Sequence, residues 1–242
     1  SDLFNLTKTG AGNLILSSGS NTYSGVTTIS GGTLTLSGSG TLGSGANLTL
    51  SGGQLDLNST SATVGAVSIT AAYASGDTIL NGSLTGTSYA ASNTTGNPII
   101  SANLLANGAA GFTKTGAGTT TLSGTNTYTG TTAAGGGVLK IASASALGGG
   151  NLALSGGGVL GLTFNLTRAD GGGAGQVTWS GDGGFAAYGA DRTVSTGTLS
   201  WSSSSLAGDD IVLGAADADA TLIWSSNLSI AGGSRVIRAA SP

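Results

Sequence analysis

The chain has 242 residues, of which 46 are Gly, 34 Ser and 34 Thr, and only 7% are charged. It contains no His, Cys, Met or Glu, which removes zinc sites, thiol nucleophiles, Ser-His-Asp triads and disulfides. The net charge of −3 leaves 7 scattered Lys and Arg, which do not make the basic face that nucleic acid needs.

The chain is not a disordered linker, because small residues alternate with Leu, Ile and Val and can bury apolar surface. Proline occurs only at Pro98 and Pro242, which suits ladders that use nearly every backbone N–H. No apolar run approaches the roughly 20 residues that span a bilayer. The first residue is Ser1 and no charged leader region follows, so a processed product or an internal piece is expected.

Two long stretches repeat each other. Residues 6–57 and 112–162 share T-K-T-G-A-G, then S-G, N-T-Y-x-G, G-G-x-L and N-L-x-L-S-G-G. Within them a shorter period runs through Leu14/Leu16, Leu34/Leu36, Leu48/Leu50, Leu55/Leu57 and Val67/Ile69. Each pair shares one face of a short strand. Leu14 recurs as Leu34 and again as Leu55 at a nearly constant interval, with Gly-Gly and Ser-Gly turns between. Short strands at this interval predict an all-β parallel β-helix, a β-solenoid with about three strands and ~20 residues per turn. An antiparallel barrel or sandwich would not explain a register that returns at that interval. Residues 1–242 are then one solenoid body of ~12 turns, roughly 55–60 Å long at the strand spacing.

Residues 58–111 break the rhythm, and a projecting loop is expected near 86–98. Residues 163–242 change repeat type. Val177-Thr178-Trp179, Leu199-Ser200-Trp201 and Leu222-Ile223-Trp224 put the three tryptophans at almost even intervals, close to the period of the earlier strands. In-register turns would stack Trp179, Trp201 and Trp224 as a core ladder. Further ladders are expected through Phe185, Leu206 and Leu228, and through Val194, Val212 and Val236. The segments Ser1–Leu6 and Ser234–Arg238 both read as strand rather than cap. Covalent continuation into neighbouring β-helix segments is expected, with end-to-end stacking of copies into a filament as the other reading.

Candidate chemistry is sparse. The runs Gly10-Ala11-Gly12, Gly135–Gly137 and Gly156–Gly158 lack the Lys-Ser/Thr and helix of a phosphate loop and read as turns. Asp209, Asp210, Asp217 and Asp219 are the densest acids and the candidates for a Ca²⁺ site, although solvated turn acids explain them better. Arg168, Arg192, Arg235 and Arg238 are too scattered to sit over a polysaccharide with such acids. Asn5, Asn47, Asn165 and Asn227 open glycosylation sequons, but Asn13 and Asn151 start strands in the same way without the hydroxyl. The common element is an Asn whose amide bonds along the stack. The T-x-T pairs Thr33/Thr35 and Thr119/Thr121 are too isolated for an ice-binding face.

Lys8-Thr9-Gly10-Ala11-Gly12, Leu14, Leu16, Asn21-Thr22-Tyr23 and Gly25 form one signature, and Lys114-Thr115-Gly116-Ala117-Gly118, Leu122, Asn126-Thr127-Tyr128 and Gly130 form the second. Each resembles the autotransporter-associated β-strand repeat, also called the passenger-associated transport repeat. Ser18-Gly19-Ser20 adds a residue to the first copy, Thr120 replaces a core-like Leu in the second, and residues 163–242 lack the signature. The resemblance implies a right-handed parallel β-helix from a large bacterial surface or secreted protein. It also implies a part in passenger folding and export rather than catalysis, with no cofactor. The expected function is a stiff, non-catalytic stalk. The alternatives are an adhesin module for a cell-surface glycan or protein, a filament subunit, and last a polysaccharide-acting enzyme.

Overall fold

The computed structural model describes residues 4–43, 45–200, 206, 210–229 and 236–239. Strand burial follows the alternation in sequence. In Thr33–Leu36 the two leucines are fully buried while the threonines face outward. Such strands are too short to stand alone, so each is held by the equivalent strand of the next turn.

Two long parallel sheets result. Among the described residues the first has nine strands, from Leu6–Lys8 to Val177–Trp179. The second runs from Asn13–Leu16 to Ile237–Ala239 and takes Asn103–Ala106 as a side branch on Ile79–Gly86. The chain alternates between the sheets, which makes a β-solenoid of about 10 turns and about 22 residues per turn. Like residues stack inside, as in Leu14↔Leu34↔Leu55 and Leu139↔Leu160↔Phe185. The count falls below the expected twelve because the later turns are wider than the first ones.

The third side is strand on only part of the length. In the middle, 60–63, 82–86 and Asn103–Ala106 pair side by side. Towards the C-terminal end Leu166–Thr167, Arg192–Ser195 and Leu222–Trp224 form a third sheet, and Thr198–Ser200 pairs with Asn227–Ser229.

Residues 58–111 continue the solenoid through a bulge. The register of Gln54–Thr63 slips between Asp56 and Thr60, where Asn58 and Ser59 take φ of 45° and 63°. The loop expected at 86–98 is corrected. Ser88–Ala91 is a strand of the first sheet, paired with Ala66–Ala71 and Phe112–Lys114. Tyr89 points inward, and its hydroxyl accepts from the Gly86 N–H at 2.7 Å beside the carbonyls of Leu84 and Leu105. What remains is a turn at 92–98 wrapped around Asn93, whose amide donates to Thr119 O at 2.7 Å.

The tryptophan ladder is also corrected. Trp179 pairs with Leu154 in the first sheet, whereas Trp224 pairs with Val194 in the third. On the later turns Phe185 pairs with Leu213, and Arg192 with Leu222, so each of these turns is longer than the step from one tryptophan to the next. Side chains separated by the tryptophan interval therefore fall out of register there. Phe185 stands between the two rings at 6.1 Å from Trp179 and 6.2 Å from Trp224. The other two expected ladders fail for the same reason, since Val194 meets Trp224, Val212 meets Arg238 and Leu199 meets Leu228. Trp201 lies outside the described residues.

Candidate functional site

The repeated signature residues occupy equivalent places in both copies, and each is used to hold one turn to the next. Lys8 and Lys114 lie at inward positions of the first sheet and fold back over the turn that follows. The Lys8 ammonium donates to the carbonyls of Thr9 and Gly10 at 2.8 Å each and of Gly31 at 2.9 Å. Lys114 donates to Gly116 O at 2.7 Å and to Thr115 O. A compact cation suits this place because three rotatable donors can gather carbonyls left over by a tight turn. Burial pushes the Lys114 ammonium down from the usual 10.5 to about 8.

Gly10 and Gly116 take φ of 70° and 71°, which makes the turn possible. Gly12 and Gly118 then approach the next turn closely. A Cβ on Gly32 would stand 2.3 Å from Gly12 O, and one on Gly137 would stand 2.4 Å from Gly118 O.

Asn21 and Asn126 each donate an amide N–H to the following turn, to Thr41 O and Ala146 O, both at 2.7 Å. Asn126 also accepts from the Leu104 N–H of the preceding turn at 2.8 Å. Where the third side lacks a strand, this one side chain stands in for a ladder. Tyr23 and Tyr128 bond Thr27 and Thr132 through their hydroxyls at 2.8 and 2.9 Å. Their rings press on Gly43 and Gly148 of the next turn. Gly25 and Gly130 sit against the backbone of the preceding turn, with built Cβ positions 2.5 Å from Phe4 O and 2.3 Å from Ala109 O.

The partners Thr27 and Thr132 were missed in the sequence, although a Thr stands four positions after Tyr in both copies. So was Arg168, which donates to Gly150 O at 2.9 Å and Gly148 O at 3.1 Å and closes the end of the second copy. Three of the four sequon asparagines bond along the stack. Asn5 accepts from Val26 N, Asn47 from Ala66 N and Asn165 from Thr193 N, at 2.8 to 2.9 Å. Asp182 and Asp191 do the same for Asp210 N and Thr221 N on the wide turns.

The candidate acids do not converge. Asp210 pairs with Arg238 at 2.6 Å. Asp217 accepts from the Tyr188 hydroxyl, and Asp219 from the Gly189 N–H at 2.7 Å. Asp209 lies outside the described residues. Among the described residues no three His, Cys, Asp or Glu side chains gather as metal ligands would. A cleft of about 830 Å³ includes Asp191, Asp219, Thr221 and Leu222 in its lining. Both carboxylates there already hold backbone amides.

Residues 6–36 and 112–141 match the family model of the passenger-associated-transport-repeat. No curated protein and no solved structure matches the chain. The two matched stretches are the two that carry the lysine turn, the asparagine bond to the next turn and the tyrosine–threonine pair. The chain is thus a parallel β-solenoid that carries two passenger-associated transport repeats, which is consistent with an autotransporter passenger repeat protein.

Proposed function

We propose that this chain is a non-catalytic stalk segment of a passenger that stands at the bacterial surface or is secreted, and that its two repeats help the passenger fold as it is exported. The carrying observation is where the repeat's polar groups go. Lys114, Asn126 and Tyr128 are buried, and their donors and acceptors meet the chain's own backbone and Thr132. A catalytic or binding constellation needs groups left free to meet a substrate. The signature instead assembles a rung that closes itself and offers its next strand edge to the following one. Its partners on this reading are the adjoining rungs of a longer solenoid.

The test is surface display. The chain is fused ahead of an outer-membrane translocator barrel, and its appearance outside the cell is followed by protease accessibility. The expected result is protease-resistant display that falls when Lys114, Asn126 and Tyr128 are replaced together by Ala. Display and resistance unchanged by that triple replacement would overturn the proposal.

A further inference from the structure

In a solenoid each turn touches its neighbours and little else. One segment departs from this. After Ile211–Leu213 the chain leaves the second sheet, and residues 214–220 fold back over that sheet's outward face. They return through an antiparallel bridge between Ala187 and Ala220. Under them runs an outward column, Thr119↔Val138↔Val159↔Gly184↔Val212, one residue from each of five successive strands.

Asp217 ties the segment down. One carboxylate oxygen accepts from the Tyr188 hydroxyl and the other from Thr119 Oγ1 at 3.3 Å, across 98 positions of sequence. Asp219 accepts from the Gly189 N–H. Ala215 packs with Val138, Val159, Ala186 and Tyr188 in an apolar cluster separate from the main core. Tyr188 lies over Gly161, and the Lys140 ammonium stands 4.1 Å from its ring centre.

We infer that residues 214–220 are a clamp that fastens the wide C-terminal turns to the second repeat copy. The strands from Thr119–Leu122 to Ile211–Leu213 then open together rather than turn by turn. A nearest-neighbour stack frays from its end, each turn at its own free energy. A strap that continues from the last of five strands and is hydrogen-bonded to the first adds a contact that is lost only when the outer strand detaches. Glycines allow the close approaches beneath it. A Cβ on Gly161 would stand 2.7 Å from the Tyr188 ring, and one on Gly184 would clash with Val212 O.

Hydrogen exchange on the full chain in graded denaturant tests the clamp. In the unaltered protein, Thr119–Leu122 and Ile211–Leu213 should lose protection at the same denaturant concentration. Asp217→Ala should separate them, with Gly183–Ala187 and Ile211–Leu213 exchanging at least roughly tenfold faster, as expected for loss of a charge-assisted hydrogen bond. Leu48–Ser51 and Ala66–Ala71 should be unchanged. Separate loss of protection in the unaltered protein would overturn the clamp without recourse to any variant. So would an Asp217→Ala protein in which no strand, or every strand alike, exchanges faster. None of these outcomes depends on export, so the stalk proposal stands or falls separately.

Discussion

Gly148→Ala isolates the packing of one turn on the next. A Cβ at Gly148 would lie 2.2, 2.5 and 2.7 Å from three carbons of the Tyr128 ring, against the 3.5–4.0 Å of an ordinary carbon contact. The ring cannot swing away freely, because Tyr128 is fully buried and its hydroxyl bonds the equally buried Thr132. Overpacking alone costs about 1–3 kcal/mol. Breaking the hydroxyl pair to relieve it leaves a buried polar group unsatisfied, for about 1–3 kcal/mol more. The expected loss is thus about 2–6 kcal/mol, a large share of the ~5–15 kcal/mol that holds a typical domain. Urea unfolding measures it, and exchange of the 128–152 amides localises it. A double-mutant cycle checks the cause, since adding Gly148→Ala to Tyr128→Ala should cost little once the ring is gone. Refutation is a Gly148→Ala protein within about 0.5 kcal/mol of the parent, or a penalty that persists without the ring.

Three other outcomes are expected. Lys114 holds its proton less tightly when folded, so the unfolded chain binds more protons between pH about 8 and 10, and stability should rise with pH across that window by roughly 2–3 kcal/mol. Above pH 10 the sign reverses, because burial pushes the Tyr89 hydroxyl up to about 12; urea titrations at several pH values should show the rise, and Lys114→Met should abolish it. Asn126→Leu should cost about 2–4 kcal/mol by orphaning Leu104 N and Ala146 O, and Asn21→Leu less, because Asn21 bonds only carbonyls near the surface; thermal unfolding compares the two. Trp179→Ala should cost ~3–5 kcal/mol and Trp224→Ala less, since Trp179 is buried and Trp224 only half-buried; equal losses in denaturant titrations would contradict the placement of the two rings.

The parallel stack was legible because two signals agreed. Leu34 and Leu36 alternate with Thr, and the same alternation returns one turn later at Leu55 and Leu57. In the wide turns those signals parted. The V-T-W and L-I-W segments look alike, yet one serves the first sheet and the other the third. Alternation reveals which face a residue takes, not which sheet it joins. Tyr89 was unreadable because its neighbours are small and polar, and the space for its ring comes from Gly86, whose built Cβ is 3.0 Å away. The signature residues were legible as a group, but their partners are backbone carbonyls a full turn distant, which no motif records. The Asp217 clamp left no trace in the sequence, because Thr119 and Tyr188 belong to different repeat types.

The clamp also bears on how such a chain changes length over generations. Where each rung meets only its neighbours, a whole rung can be gained or lost and the remaining contacts survive. Beneath the strap the count is closed. One extra rung between Thr119–Leu122 and Val138–Ile141 would carry Thr119 a further strand spacing, ~4.8 Å, from Asp217. A change in rung number is thereby compatible with the strap on the N-terminal side of Thr119 and incompatible with it between Thr119 and Asp217.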